Sequence, residues 1–291
     1  FSEQGRLLLR AGGVVSNPAH VETLLAAARK RPQSSPRSAP SRMISSHAMM
    51  EALSERLDAL FDLIAKNPAA PGFVGNMTRL ATTLIKACDL DPDAAFAHPH
   101  LDMKHSYMIY HAVMAAVITA LLGKAKGLSE ERRLQLVCAA LTHDLSLAED
   151  HFRLESKAEL SPYDRARVMH HPVQTEALLR TLNVDHPVWL DAVANHHERL
   201  DGSGYPKGIE GAAVSDEVRI MSIADALSAM LRPRPYRDRQ HAKLALAELY
   251  RNEGGVFDQE LLSLLVGTLG IYPAGTVVRL QGGEVAVVRR R

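Results

Sequence analysis

The sequence predicts a mainly α-helical fold, with small β elements confined to the two ends of the chain. Three observations carry this. Apolar residues recur at intervals of three and four through most of residues 43–269, and strand signals are almost absent over that span. The tail GTVVRLQGGEVAVVRRR sets two β-branched runs around Gln-Gly-Gly, a hairpin pattern. At 291 residues, 46% of them hydrophobic, the chain is long enough for one large or two modest domains with real cores.

Taken in order, GRLLLRAGGVV reads as a hairpin, and a helical repeat follows over residues 20–30. Next, RKRPQSSPRSAPSR combines proline, serine and positive charge without apolar periodicity, which makes a flexible linker. MMEALSERLDALFDLIAKN and FVGNMTRLATTLIKACDL give two amphipathic helices broken at NPAAPG. Further helices are predicted at about 107–123, 130–143, 161–182, 187–197, 215–231, 240–253 and 258–269. This divides the chain into a small α/β regulatory segment with linker (1–40), a helical connector (41–98) and a main domain with a C-terminal hairpin (99–291).

A net charge of +1 gives no reason to expect a nucleic-acid polymer or an anionic membrane as partner, and no aromatic residue is interleaved in the basic linker to stack on bases. The longest apolar run, AVMAAVITALLG at 112–123, is too short to span a bilayer and reads as a buried helix. Cys88 and Cys138 fall inside apolar helical patterns, so neither a disulfide framework nor a thiolate metal site is expected, and a reducing, cytoplasmic setting fits. The chain opens on Phe1, as a processed or truncated protein would.

Fourteen histidines are many for this length, and several occupy positions where the helical pattern calls for apolar residues. His111 interrupts YMIYHAVMAAV, Asp225 interrupts IMSIADALSAM, and His143 with Asp144 ends the apolar run LQLVCAALTHD. A buried carboxylate without a partner costs several kcal/mol, roughly, so Asp144 needs a cation or a metal. Each site alone could be a core histidine bonded to a carbonyl. Together, His111, His143, Asp144, His171, His196, His197 and Asp225 are spread over five helical segments at buried stripes, the arrangement from which carboxylate–histidine dinuclear sites are built. His196 and His197 cannot share one helix face, but DGSG follows them closely, and a helix end can turn both imidazoles toward one cluster. Imidazole and carboxylate without thiolate suit iron, manganese or zinc, and two bridged metals suit phosphoester hydrolysis.

Five ordered blocks, THD at 142–144, HHP at 170–172, HHERLDGSGYPKG at 196–208, RIMSIADALSAM at 219–230 and RPYR at 234–237, resemble the HD-GYP family of bacterial phosphodiesterases, a branch of the helical-bundle HD superfamily. The likeness runs from about residue 101 to 272. It implies hydrolysis of cyclic di-GMP to linear pGpG or GMP at two divalent metals, iron or manganese first, with zinc, nickel, magnesium or calcium as alternatives. Carried across, His111, His143, Asp144 and Asp225 hold one metal, and Asp144 bridges to a second held by His171, His196 and His197. Asp144 and His143 then serve catalysis. Arg237 contacts a substrate phosphate, and Gly204, Tyr205 and Pro206 form a loop that touches substrate or a diguanylate cyclase. A homodimer is compatible with this reading. Trinuclear members place a glutamate four residues before the first histidine; Tyr107 stands there, which predicts two metals.

The chain departs from the family in reading HDLSL for His-Asp-Ile-Gly-Lys, so Ser146 replaces a glycine and Leu147 a lysine. One donor of that kind is worth roughly 10²–10³ in rate. Ser228 replaces a common aspartate, and Lys157 is a candidate cation for the pocket. Three functions are therefore open at this point: a cyclic di-GMP phosphodiesterase, a catalytically weak receptor for the nucleotide or for a partner protein, and a hydrolase of another phosphoester. In the loop itself, Gly202 and Gly204 are expected at positive φ, with Tyr205 exposed.

Overall fold

The computed structural model describes residues 45–290, apart from residues 68, 149, 151–156, 158, 160, 233–239 and 252–254. The amino-terminal hairpin, helix and linker expected from the sequence lie outside the described residues, as does Arg237. Residues 44–291 form one compact unit.

Among the described residues ten α-helices follow in order: α1 (Ser46–Lys66), α2 (Phe73–Leu90), α3 (Pro92–Leu101), α4 (Tyr107–Lys126), α5 (Glu130–Thr142), α6 (Pro162–Thr181), α7 (Pro187–Asn195), α8 (Asp216–Leu231), α9 (Ala242–Tyr250) and α10 (Gln259–Leu269). They match the sequence-predicted helices to within a few residues. The exception is α3, for which the amphipathic pattern gives no signal. Its start is nonetheless encoded: the Asp91 carboxylate accepts from Ala94 N–H, and Pro92 occupies the first turn. After α10 comes the expected hairpin, β1 (Val277–Arg279) paired antiparallel with β2 (Val285–Val287), Val277 opposite Val287.

The hub is α4, buried without interruption from Met108 to Gly123. Ser106 caps its start, and Gly127, at φ 82°, ends it in the left-handed conformation that glycine adopts without strain. Its length and apolar content would let it cross a membrane, but 89% of its most apolar window is buried against the other helices. α4 packs on α5, α8, α10, α2 and α3, so a helix apolar all round has neighbours all round. Buried Arg133 of α5 locks this hub: its Nε donates to the Ala120 carbonyl (2.9 Å), and its two terminal nitrogens donate to Asp89 of α2. Trp189 of α7 donates from Nε1 to Thr142 Oγ1 at 2.9 Å, fixing the end of α5 just where His143 and Asp144 emerge.

Candidate metal centre

The structure brings all seven predicted ligand residues to one place. His111 lies in the second turn of α4, His143 and Asp144 directly follow α5, and His171 sits inside α6. His196 and His197 follow the last residue of α7, and Asp225 lies in the middle of α8. His143 and His196 are wholly buried. His111, His143 and Asp225 form one group, and His171, His196 and His197 another, each with ligand atoms within 4.8 Å of one another. Asp144 lies between them: its Oδ2 is 3.5 Å from His111 Nε2 and 3.7 Å from His143 Nε2, while its Oδ1 is 3.0 Å from His171 Nε2. One carboxylate thus faces both groups, one oxygen to each.

Hydrogen bonds on the far side of each ring fix which nitrogen faces inward. A carbonyl only accepts, so His143, His171 and His196 donate from Nδ1 to the carbonyls of Ala140 (2.8 Å), Val168 (2.5 Å) and Val193 (2.8 Å), each three residues back. His111 reaches the same state through Ser228: the hydroxyl donates to the Asp225 carbonyl (2.9 Å) and so accepts from His111 Nδ1–H (2.9 Å). In the neutral rings all four Nε2 lone pairs therefore point inward. The Nε2 atoms of His111 and His143 are 3.2 Å apart, and those of His171 and His196 are 3.0 Å apart. Two bare lone pairs at such distances repel unless a proton or a metal lies between them, so the donor set fits divalent metals.

The electrostatics show the same demand for positive charge. Burial pushes the His143 imidazole down, but Asp144 and Asp225 outweigh it and raise its pKa to about 9. Burial would raise the carboxyls of Asp144 and Asp225, yet the surrounding imidazoles hold both well below the usual carboxylate range. Burial, reinforced by neighbouring histidines, drives His196 well below its ordinary value. His197 falls to about 3, again mainly through burial, although Asp225 pulls the other way. These two rings stay neutral, as ligands must.

The loop after His197 departs from expectation in two respects. Gly202 does take positive φ, at 76°, but Gly204 is absent from the left-handed region. Gly204 is required by crowding: a Cβ there would lie 2.4 Å from the Arg199 nitrogen, 2.5 Å from Glu198 Cα and 2.5 Å from the His197 carbonyl oxygen. Tyr205 is half-buried rather than exposed, because its ring stacks on His197 with centroids 4.6 Å apart. Burial first, then the Asp225 and Asp144 carboxylates, raise its phenol above the ordinary value, so it stays protonated. Pro206 remains exposed. Glu198, which no sequence pattern marks, holds the loop. It is buried, and its two carboxylate oxygens accept from the backbone N–H groups of Lys207 (2.7 Å) and Ile209 (3.1 Å).

Ser146 and Ser228, read from sequence only as departures, both have structural work. Ser146 Oγ donates to the His171 carbonyl (3.2 Å) and accepts from Thr175 Oγ1 (2.8 Å), tying the turn after Asp144 to α6. Leu147 is half-buried in a short 3₁₀ turn over Leu145–Leu147. Lys157 is committed to an ion pair with buried Asp164.

Residues 40–261 match the HD domain family. A cyclic di-GMP phosphodiesterase of Borreliella burgdorferi is 27% identical over 184 residues, which covers 63% of this chain and 48% of that protein. A 3'3'-cGAMP-specific phosphodiesterase of Vibrio cholerae is 33% identical, covering 60% and 38%. A cyclic di-GMP phosphodiesterase response regulator of Xanthomonas campestris is 34% identical, covering 51% and 40%. The aligned region spans less than half the length of these relatives. Among solved structures, an HDG"Y"P protein from Bdellovibrio bacteriovorus superposes with a TM-score of 0.63 at 15% identity, covering 86% of this chain and 80% of that one, a likeness of fold.

Proposed function

Since the chain belongs to the HD-domain family, in its HD-GYP branch, we propose that it is a metal-dependent phosphodiesterase that hydrolyses cyclic di-GMP. The observation that carries this reading is Asp144, placed with one oxygen toward each of two histidine groups whose lone pairs converge. His111, His143 and Asp225 would hold one divalent metal and His171, His196 and His197 the second, with Asp144 shared. Held there, divalent metals would supply Lewis-acid chemistry, lowering the pKa of water and offsetting charge on phosphoryl oxygens. Iron or manganese suits the imidazole and carboxylate donors.

The chain's own contribution is orientation. Ala140, Val168, Val193 and Ser228 keep every inward-facing Nε2 available. Glu198 holds the loop that lays Tyr205 over His197, and the protonated phenol is a donor for a phosphate or base near the centre. Arg237 is assigned to a second phosphate contact because a guanidinium matches two phosphate oxygens. Pro206 and Lys207, exposed on the same loop, are available to a diguanylate cyclase. The two free, buried cysteines suit a cytoplasmic setting.

Leu147 in place of a lysine favours a second reading, a receptor that binds the nucleotide without turning it over. The test is incubation of the iron- or manganese-loaded chain, prepared without oxygen, with cyclic di-GMP, 3'3'-cGAMP and bis(p-nitrophenyl) phosphate. Cleavage of cyclic di-GMP to pGpG or GMP in preference to the other two supports the proposal. Binding without cleavage supports the receptor, and preference for either alternative substrate assigns the centre to another phosphoester.

A further inference from the structure

Helix α6 turns an apolar face outward. Its buried side chains include Asp164, His171 and Thr175 along with Leu179, and it rests on α7 and on the 3₁₀ turn over Leu145–Leu147. On the opposite side Tyr163, Ala166, Met169, Val173 and Ala177 are exposed, with Tyr163 at 68%, Met169 at 53% and Val173 at 44%.

The spacing of these five, at three, three, four and four residues, keeps them in one stripe. At about 100° per residue, that stripe stands opposite the line through Asp164, His171, Thr175 and Leu179. The outward face is thus the more apolar of the two, the reverse of a helix whose only task is to cover a core. Contiguous exposed apolar side chains of this kind mark an interaction surface.

The face is complementary to itself. A two-fold axis crossing α6 near residue 170 would pair it antiparallel with a second copy of the same helix. Tyr163 then meets Ala177 of the second copy, and Ala166 meets Val173, so that each contact sets a large side chain against a small one. Met169 and exposed His170 lie at the axis, beside their own copies. Charge obeys the same symmetry. Arg165 and Glu176 lie on one flank of the stripe, and an antiparallel two-fold brings like flanks together. Arg165 of each copy therefore faces Glu176 of the other, level to within about one residue, or ~1.5 Å. Glu176 is already held by Arg180, whose Nε donates to it at 2.8 Å, and a carboxylate accepts from more than one donor. An unrelated partner has no reason to match both size and charge about one axis.

We propose that the outward face of α6 is the contact between two copies of this chain, packed antiparallel about a two-fold axis near residue 170. The contact uses none of the metal-ligand side chains and depends neither on metal nor on the reaction. At 20 residues α6 is about 30 Å long, so one helix pair buries less than the roughly 800 Å² per partner of a standard interface. The dimer is accordingly a weak, reversible one, with a dissociation constant of roughly 10–100 µM.

The test is sedimentation equilibrium of the full chain across that concentration range, with circular dichroism to check that each surface replacement keeps its helix content. The unaltered chain should pass from monomer to dimer as concentration rises. Met169→Glu, which sets two carboxylates together at the axis, should stay monomeric throughout. Arg165→Glu alone and Glu176→Arg alone should each weaken the dimer about tenfold or more, since both symmetric contacts become repulsive. Mixing these two variants should restore association, because each chain then offers the other opposite charges. An unaltered chain that stays monomeric, a dimer that Met169→Glu leaves equally strong, or a mixture that associates no better than either variant alone overturns the proposal.

Discussion

Replacing Ser228 with alanine tests how the centre controls its ligands. The Ser228 hydroxyl is wholly buried and accepts from His111 Nδ1–H at 2.9 Å. Alanine removes the acceptor at nearly constant volume, so His111 can swap tautomers and turn an N–H toward the metal. Losing an outer partner of this kind typically weakens metal binding by roughly 10–100-fold. A neutral hydroxyl belongs at the lower end, about tenfold, or about 1.4 kcal/mol. Ser228→Asp should restore or exceed the original affinity, because a carboxylate acceptor makes a charge-assisted bond about twice as strong. Competition against a chelator, with manganese as the reporter, measures both variants. An affinity for Ser228→Ala within twofold of the unaltered chain, or Ser228→Asp binding more weakly than Ser228→Ala, would refute the tautomer argument.

Other outcomes follow from the same geometry. Gly204→Ala sets a Cβ against three backbone atoms at 2.4–2.5 Å; it should cost about 1–3 kcal/mol in thermal unfolding and reduce turnover as Tyr205 leaves His197. His143, at about 9 in the metal-free cluster, is an imidazolium below that pH and must shed its proton to bind metal. Loading at pH 7.5 should therefore release about one proton, with release fading above roughly pH 10 and apparent affinity falling about tenfold per pH unit below 9. Calorimetry in buffers of different ionisation enthalpy reads this directly. Tyr107 stacks on His111 with centroids 5.4 Å apart; Tyr107→Glu sets a carboxylate beside that ring and should raise the metal count by one in elemental analysis.

The parts of the fold written in local pattern were legible. The uninterrupted apolar run of α4, the valines around Gln-Gly-Gly and the polar interruptions at His111 and Asp225 each stand out against their neighbours in sequence. His196 and His197 could be placed because a helix end relaxes the constraint on adjacent residues. What escaped depends on contacts between distant segments. The turn pattern around Gly204 suggests a backbone angle, whereas its actual constraint is the approach of Glu198 and Arg199. Glu198 accepts from backbone groups nine and eleven residues on, which no periodicity records. Ser228 read as a lost aspartate, since its service to His111 joins residues 117 positions apart. α3 carries histidines and prolines in place of a clear apolar stripe, so only its cap announced it.

In the proposed function Asp144 joins two metal sites into one hydrolytic centre. Metal content and cyclic di-GMP turnover, measured on the same iron- or manganese-loaded samples of the unaltered chain and Asp144→Ala, decide this. Two metals in the cluster and measurable turnover are expected for the unaltered chain, with metal reduced and turnover abolished in the variant. Equal metal content and equal turnover in both would contradict it.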